Sequence, residues 1–150
     1  MSSPESKDSA IGKYISILYR YGRSYMDQRM SEYSIGSGQY SFLFYLYSND
    51  NSTQDKISSS LCVDKATTTR ALQKLETLGY ISRRISTSDN RINLVKLTPE
   101  GRLLCEELKD YSKIWESILL DNIPIEEHAI IKSYLKILAE NAINNKLTKE

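Results

Sequence analysis

One histidine, two cysteines and one tryptophan among 150 residues leave little from which to build an active site. His128 stands alone, and neither Cys62 nor Cys105 belongs to a His/Cys/Asp/Glu cluster with metal-ligand spacing. No nucleophile–base pair, paired-carboxylate arrangement or glycine-rich phosphate loop is visible, and one imidazole offers little acid–base capacity. An enzyme, a metal site and a bound cofactor are therefore not expected. No apolar run approaches the roughly 18 residues of a membrane span. The polar start, Met1 to Ser9, carries no apolar signal region. Two cysteines suit a reducing compartment, so the expectation is a cytoplasmic protein without a membrane partner. Internal repeats and low-complexity segments are missing as well.

What is present is about one domain's worth of chain, 40% hydrophobic and 26% charged. The net charge of +1 conceals a pattern. Residues 51–102 hold nine Lys/Arg against five Asp/Glu, whereas residues 103–150 hold six against nine. A positive middle suits a polyanion; an acidic end does not.

Apolar residues at Ile11, Tyr14, Ile15, Leu18, Tyr19, Gly22, Tyr25 and Met26 have helical spacing, predicting a helix from Ile11 to about Met30. Ser34-Ile35-Gly36-Ser37-Gly38 breaks it, with Ser37 as the expected N-cap of a second helix over Gln39–Tyr47. Thr53 can cap a third, Gln54 to Leu61, followed by a turn at Cys62-Val63. Asp64 then caps a fourth that closes at Gly79, with Thr68, Ala71, Leu72 and Leu75 on its inner face. At 100° per residue, Ala66, Thr69, Arg70 and Gln73 point the other way, flanked by Thr67 and Lys74. Two short helices joined by a tight turn form a helix-turn-helix.

A basic hairpin, Tyr80 to Thr98, follows, with a polar tip from Ser86 to Arg91. Pro99 opens a long helix behind Thr98, with Leu104, Leu108, Tyr111, Trp115 and Ile118 at coiled-coil-like steps. Ile123-Pro124 breaks it, and Ile125 to about Asn144 forms the last helix, with Ile131, Tyr134, Leu135, Leu138 and Ala142 on one face. The fold class is mainly α with a small β-wing. A short helix and a positive β-ribbon together suit duplex DNA, one element for the major groove and one arm for phosphates or the minor groove.

The run Leu75-Glu76-Thr77-Leu78-Gly79-Tyr80-Ile81-Ser82-Arg83, then Asp89-Asn90-Arg91, then Leu94-Val95-Lys96-Leu97-Thr98-Pro99-Glu100-Gly101 resembles the multiple-antibiotic-resistance regulator (MarR) family over nearly the whole chain. The resemblance implies a winged helix-turn-helix over residues 35–98, flanked by helical dimerisation segments at 1–34 and 99–150. It implies a homodimeric transcriptional regulator, a repressor or less often an activator, on a pseudo-palindromic operator. The helix from Asp64 would enter the major groove, Arg91 at the wing tip the minor groove, and Asp89 would hold the wing's shape. Gly36-Ser37-Gly38 replaces the family's frequent Thr-Pro and is expected to loosen the second helix's start. Ser86-Thr87-Ser88 is uncharged, which shifts the expected phosphate contacts to Arg83 and Arg84.

The expected DNA-binding residues are Thr53, Gln54, Lys65, Ala66, Thr67, Thr69, Arg70, Gln73, Lys74, Arg83, Arg84, Asp89 and Arg91. An inserted minor-groove side chain must be long and cationic, as Arg91 is. The helix N-terminus at Thr53-Gln54 can hold a phosphate. Eleven tyrosines invite a small aromatic ligand, with Tyr14, Tyr21, Tyr45, Tyr47 and Tyr111 as candidate contacts; the same residues can equally pack a core or dimer seam. Peroxide-sensing relatives carry their reactive cysteine in the first helix, where this chain has none. Cys62, three residues before Lys65, is the alternative thiol sensor, or simply an inert side chain. A winged helix that pairs only with protein is the other alternative, against which the basic residues argue.

Overall fold

A computed structural model of the chain describes residues 10–89 and 93–145. Six helices and three strands follow in the order α1 (Ile11–Met30), α2 (Ser37–Ser48), β1 (Ser52–Thr53), α3 (Gln54–Leu61), α4 (Lys65–Thr77), β2 (Ile81–Ile85), β3 (Asn93–Leu97), α5 (Pro99–Leu119) and α6 (Ile125–Asn144). A 3₁₀ turn, Ser31–Tyr33, ends α1. The chain divides into two compact units, one up to Trp115 and one from Glu116 onward.

In the first unit the apolar residues predicted for α4 are all buried, Leu72 and Leu75 fully. They meet Phe42, Leu43 and Leu46 of α2, Ile57 of α3, Ile81, Val95 and Leu97 of the sheet, and Leu104, Cys105 and Leu108 of α5. Each such side chain contributes roughly 1.5–3 kcal/mol by leaving water. Met26 and Met30, at the end of α1, complete this core.

The sheet has the order β1-β3-β2, all antiparallel, with Ile81 opposite Leu97 and Arg83 opposite Val95. The sequence predicts only the β2–β3 hairpin; β1 adds Ser52 opposite Val95 and Thr53 opposite Leu94. Asp50 anchors this corner. Its Oδ1 accepts a hydrogen bond from the Leu97 N–H at 3.0 Å, and its Oδ2 pairs with Arg102 of α5 at 2.7 Å.

The start of α2 departs from expectation. Its N-cap is Gly36, not Ser37, and the helix runs two residues earlier than the apolar pattern suggests. Nor is that start loose. The Ser37 N–H donates to Asp27 Oδ1 of α1 at 2.5 Å, and the Gly36 N–H donates to Gln39 Oε1 at 3.0 Å. A carboxylate there complements the helix dipole. A β-carbon at residue 36 would stand 3.0 Å from the same Asp27 oxygen, so the absence of a side chain permits the approach.

In the second unit, α6 buries none of its residues: Tyr134, Leu135 and Leu138 are exposed and Ile131 half-buried. His128 Nε2 lies 2.9 Å from the Ile123 carbonyl in the turn before it, where Asn122 takes a left-handed conformation.

Candidate nucleic-acid interface

The α3–α4 pair is locked at its crossing by two buried hydroxyls. Ser58 Oγ donates to Thr68 Oγ1 at 2.9 Å, and Thr68 Oγ1 donates to the Asp64 carbonyl at 2.9 Å. Thr68 is fully buried, so an unpaired hydroxyl there would carry a desolvation penalty. The turn is closed by Cys62 in the left-handed region (φ 54°), with the Val63 N–H donating to the Ser58 carbonyl at 3.0 Å. Thr53 caps α3 through the Lys56 N–H at 3.2 Å.

Asp64 caps α4 with both oxygens. The Thr67 N–H reaches Oδ1 at 2.8 Å and the Thr67 hydroxyl reaches Oδ2 at 2.7 Å. These two bonds hold the Asp64 carboxyl below its ordinary pKa. Arg70 Nη2 folds back onto Thr67 Oγ1 at 3.1 Å. Thr69 donates its hydroxyl to the Lys65 carbonyl at 2.9 Å and accepts from Gln54 Nε2 at 2.6 Å. Lys65 sits 3.6 Å from Asp55, both highly exposed, a geometry worth little in water. Ala66, Arg70, Gln73 and Lys74 are exposed along the same helix.

A polar strut joins this helix to the wing. The Gln54 amide spans from Thr69 to Arg83, whose Nη1 donates to Gln54 Oε1 at 3.1 Å. Arg83 Nε in turn donates to Glu76 Oε2 at 2.6 Å. Gln54 and Arg83 were expected as phosphate contacts; in this structure their side chains tie α3, α4 and β2 together. Arg84, the neighbouring cation, is exposed. Asp89 is half-buried, and Arg91 lies outside the described residues.

The tyrosines fall into distinct settings. Tyr14 and Tyr21 are exposed on α1. The Tyr47 hydroxyl donates to Glu106, which pushes its pKa up, and Lys109 Nζ sits 4.5 Å from its ring centre. Tyr33 donates likewise to Glu107 and is raised for the same reason. Tyr45 accepts from Ser60 at 3.3 Å. Tyr111 lies 5.9 Å from the Arg29 guanidinium, which itself covers the Tyr25 ring at 3.6 Å. Tyr25 stacks on Trp115 at 4.9 Å, and its hydroxyl oxygen is buried with no hydrogen-bond partner among the described residues. Sequence reasoning missed Arg29 and Trp115 as part of an aromatic cluster, because only folding brings α1 and α5 together. A surface groove of about 570 Å³ runs beside Tyr19, Arg20, Arg23 and Asp27, and none of the five candidate tyrosines lines it.

Cys62 is exposed and Cys105 is buried. Burial pushes the Cys105 thiol up to about 11, and its Sγ donates to the Leu43 carbonyl. Among the described residues no His/Cys/Asp/Glu group could hold a metal, and no helix is long and apolar enough to cross a membrane.

The architecture is shared with known proteins. The sequence pattern of the MarR family matches residues 35–92. The HTH-type transcriptional regulator YdgJ of Bacillus subtilis is 34% identical over 111 residues, covering 74% of this chain and 67% of YdgJ. The crystal structure of a MarR transcriptional regulator from Methanosarcina mazei superposes with a TM-score of 0.83 at 40% identity, covering 89% of this chain and 96% of that one. A MarR protein from Peptoclostridium difficile superposes at 0.86 with 28% identity, covering 96% and 94% of the two chains. With the helix-turn-helix, the cationic outer face of α4 and the adjoining β-wing, these likenesses place the chain in the MarR family of DNA-binding winged-helix transcriptional regulators.

Proposed function

We propose that this chain represses transcription as a homodimer seated on a pseudo-palindromic operator, and that a small aromatic ligand releases it. The observation that carries the reading is the apolar surface a single copy leaves in water. On α1, Ile11, Tyr14, Ile15 and Leu18 are 43–62% exposed, and on α6, Tyr134, Leu135 and Leu138 are 40–59% exposed. Exposed apolar helix faces of this kind mark association surfaces, and a two-fold pair would present two copies of α4 to half-sites roughly 34–36 Å apart. The Tyr25–Trp115 stack, with its unpartnered hydroxyl and the Arg29 cation, supports an aromatic ligand bearing an acceptor or negative group.

Sedimentation equilibrium tests the dimer, and a gel shift across a salt series tests the duplex. Binding is expected to weaken steeply with salt, because several Lys/Arg displace counterions. Arg91→Ala should weaken the shift while leaving the dimer intact. A monomer that ignores genomic duplex at low salt ends this reading and favours a module that pairs with protein alone. A second reading, release by thiol oxidation, rests on the exposed Cys62 in the turn leading to α4. Peroxide-dependent release that survives Cys62→Ser would remove it.

A further inference from the structure

We infer that α4 reads thymine through side-chain methyl groups, and that Thr67 and Thr69 do not donate hydrogen bonds to bases. The inference rests on the DNA-binding reading above and adds the chemistry of the base it selects.

A threonine hydroxyl has one proton to donate. Thr67 gives that proton to Asp64 Oδ2 at 2.7 Å and accepts from Arg70 Nη2 at 3.1 Å. Thr69 gives its proton to the Lys65 carbonyl at 2.9 Å and accepts from Gln54 Nε2 at 2.6 Å. Each hydroxyl thus spends its one proton and one of its two lone pairs within the protein. Neither proton is free to go out to N7 or O6 of guanine, N7 of adenine or O4 of thymine. To donate outward, Thr67 would give up the Asp64 carboxylate oxygen it now bonds, and Thr69 would give up the Lys65 carbonyl.

Besides that remaining lone pair, what these side chains offer a base edge is the γ-methyl group, beside the β-methyl of the exposed Ala66. In the major groove only thymine presents an apolar group, its C5-methyl, for such a surface to meet. The half-site under Thr67 and Thr69 therefore carries thymine, recognised by exclusion of water between methyl groups.

The test uses the purified full-length chain. Duplexes are enriched from a random pool, and each thymine of the enriched half-site is replaced in turn by deoxyuridine, which differs only in lacking the methyl. At the positions facing Thr67 and Thr69, uracil should weaken binding about fourfold per methyl removed. Thr67→Ser and Thr69→Ser keep the hydroxyl and lose the methyl. Each should show a similar loss on the thymine duplex and become indifferent to uracil at its own position. Serine variants that bind like the parent would overturn the inference, as would half-sites without a fixed thymine. Salt-sensitive binding blind to uracil at every position overturns it alone; a chain that binds no duplex overturns it together with the DNA-binding reading.

Discussion

A β-carbon on Gly101 would stand 2.1 Å from the carbonyl oxygen of Tyr80. The first turn of α5 therefore lies directly on the backbone where the wing begins. Thr98 stitches the two together: its N–H donates to the Tyr80 carbonyl at 3.1 Å, and its hydroxyl donates to the Gly79 carbonyl at 2.6 Å. The same hydroxyl accepts the Gly101 N–H at 3.1 Å. The wing and the long helix are thus placed by one small group of atoms.

Gly101→Ala should consequently cost at least about 2 kcal/mol, since the obstacle is backbone and cannot rotate aside. Gly38→Ala is the control. Nothing lies within 4 Å of a β-carbon there, and the site is helical, so alanine should leave stability unchanged or raise it by up to about 1 kcal/mol. Urea unfolding of the two variants checks both signs.

Arg83 and Arg84 are adjacent yet should fail differently. Arg83 is partly shielded and paired with Glu76 and Gln54, so Arg83→Ala should lower stability by up to about 1 kcal/mol. Arg84 is exposed, and Arg84→Ala should stay within about 0.5 kcal/mol of the parent. Its effect should appear in DNA binding instead, reducing the slope of log affinity against log salt by about one. Equal salt slopes for Arg84→Ala and the parent would show that it touches no phosphate.

Asp64 makes the anchoring of α4 sensitive to acid. Two hydrogen bonds from Thr67 favour its charged form and depress its pKa in the folded chain. A group depressed on folding stabilises above its unfolded value, ordinarily 3.8, and that support disappears as pH falls through the lower folded value. Asp64→Asn has one acceptor oxygen where two are used, so it should be less stable than the parent near neutrality. The gap should close as the pH drops below 3.8, as thermal melts across that range would show.

The two thiols should separate in reactivity. Cys62 is exposed, whereas Cys105 is buried and raised to about 11. The thiolate is the reactive form. Iodoacetamide at pH 8 should therefore label Cys62 in the native chain, and Cys105 only after denaturation. Peptide mass spectrometry resolves the two; equal native labelling would contradict the placement of Cys105.

The sequence alone determined the elements whose causes lie within a few residues. Thr53 and Asp64 cap helices through N–H groups three positions on, and Gly79 supplies the left-handed residue (φ 82°) after α4. The spacing of Thr68, Ala71, Leu72 and Leu75 showed which face of α4 would be buried, because helical periodicity is itself a local property. Tertiary structure alone decided the rest. Two residues make the strand β1 only because β3 lies alongside, and α2 is capped by an aspartate ten residues away. Gln54 and Arg83 read as separate phosphate contacts in a linear chain, one through a helix N-terminus and one through its charge; 29 residues apart, their side chains meet only in the folded chain. Contacts of that range depend on where the packed core puts each backbone, and no pattern of neighbouring residues encodes it.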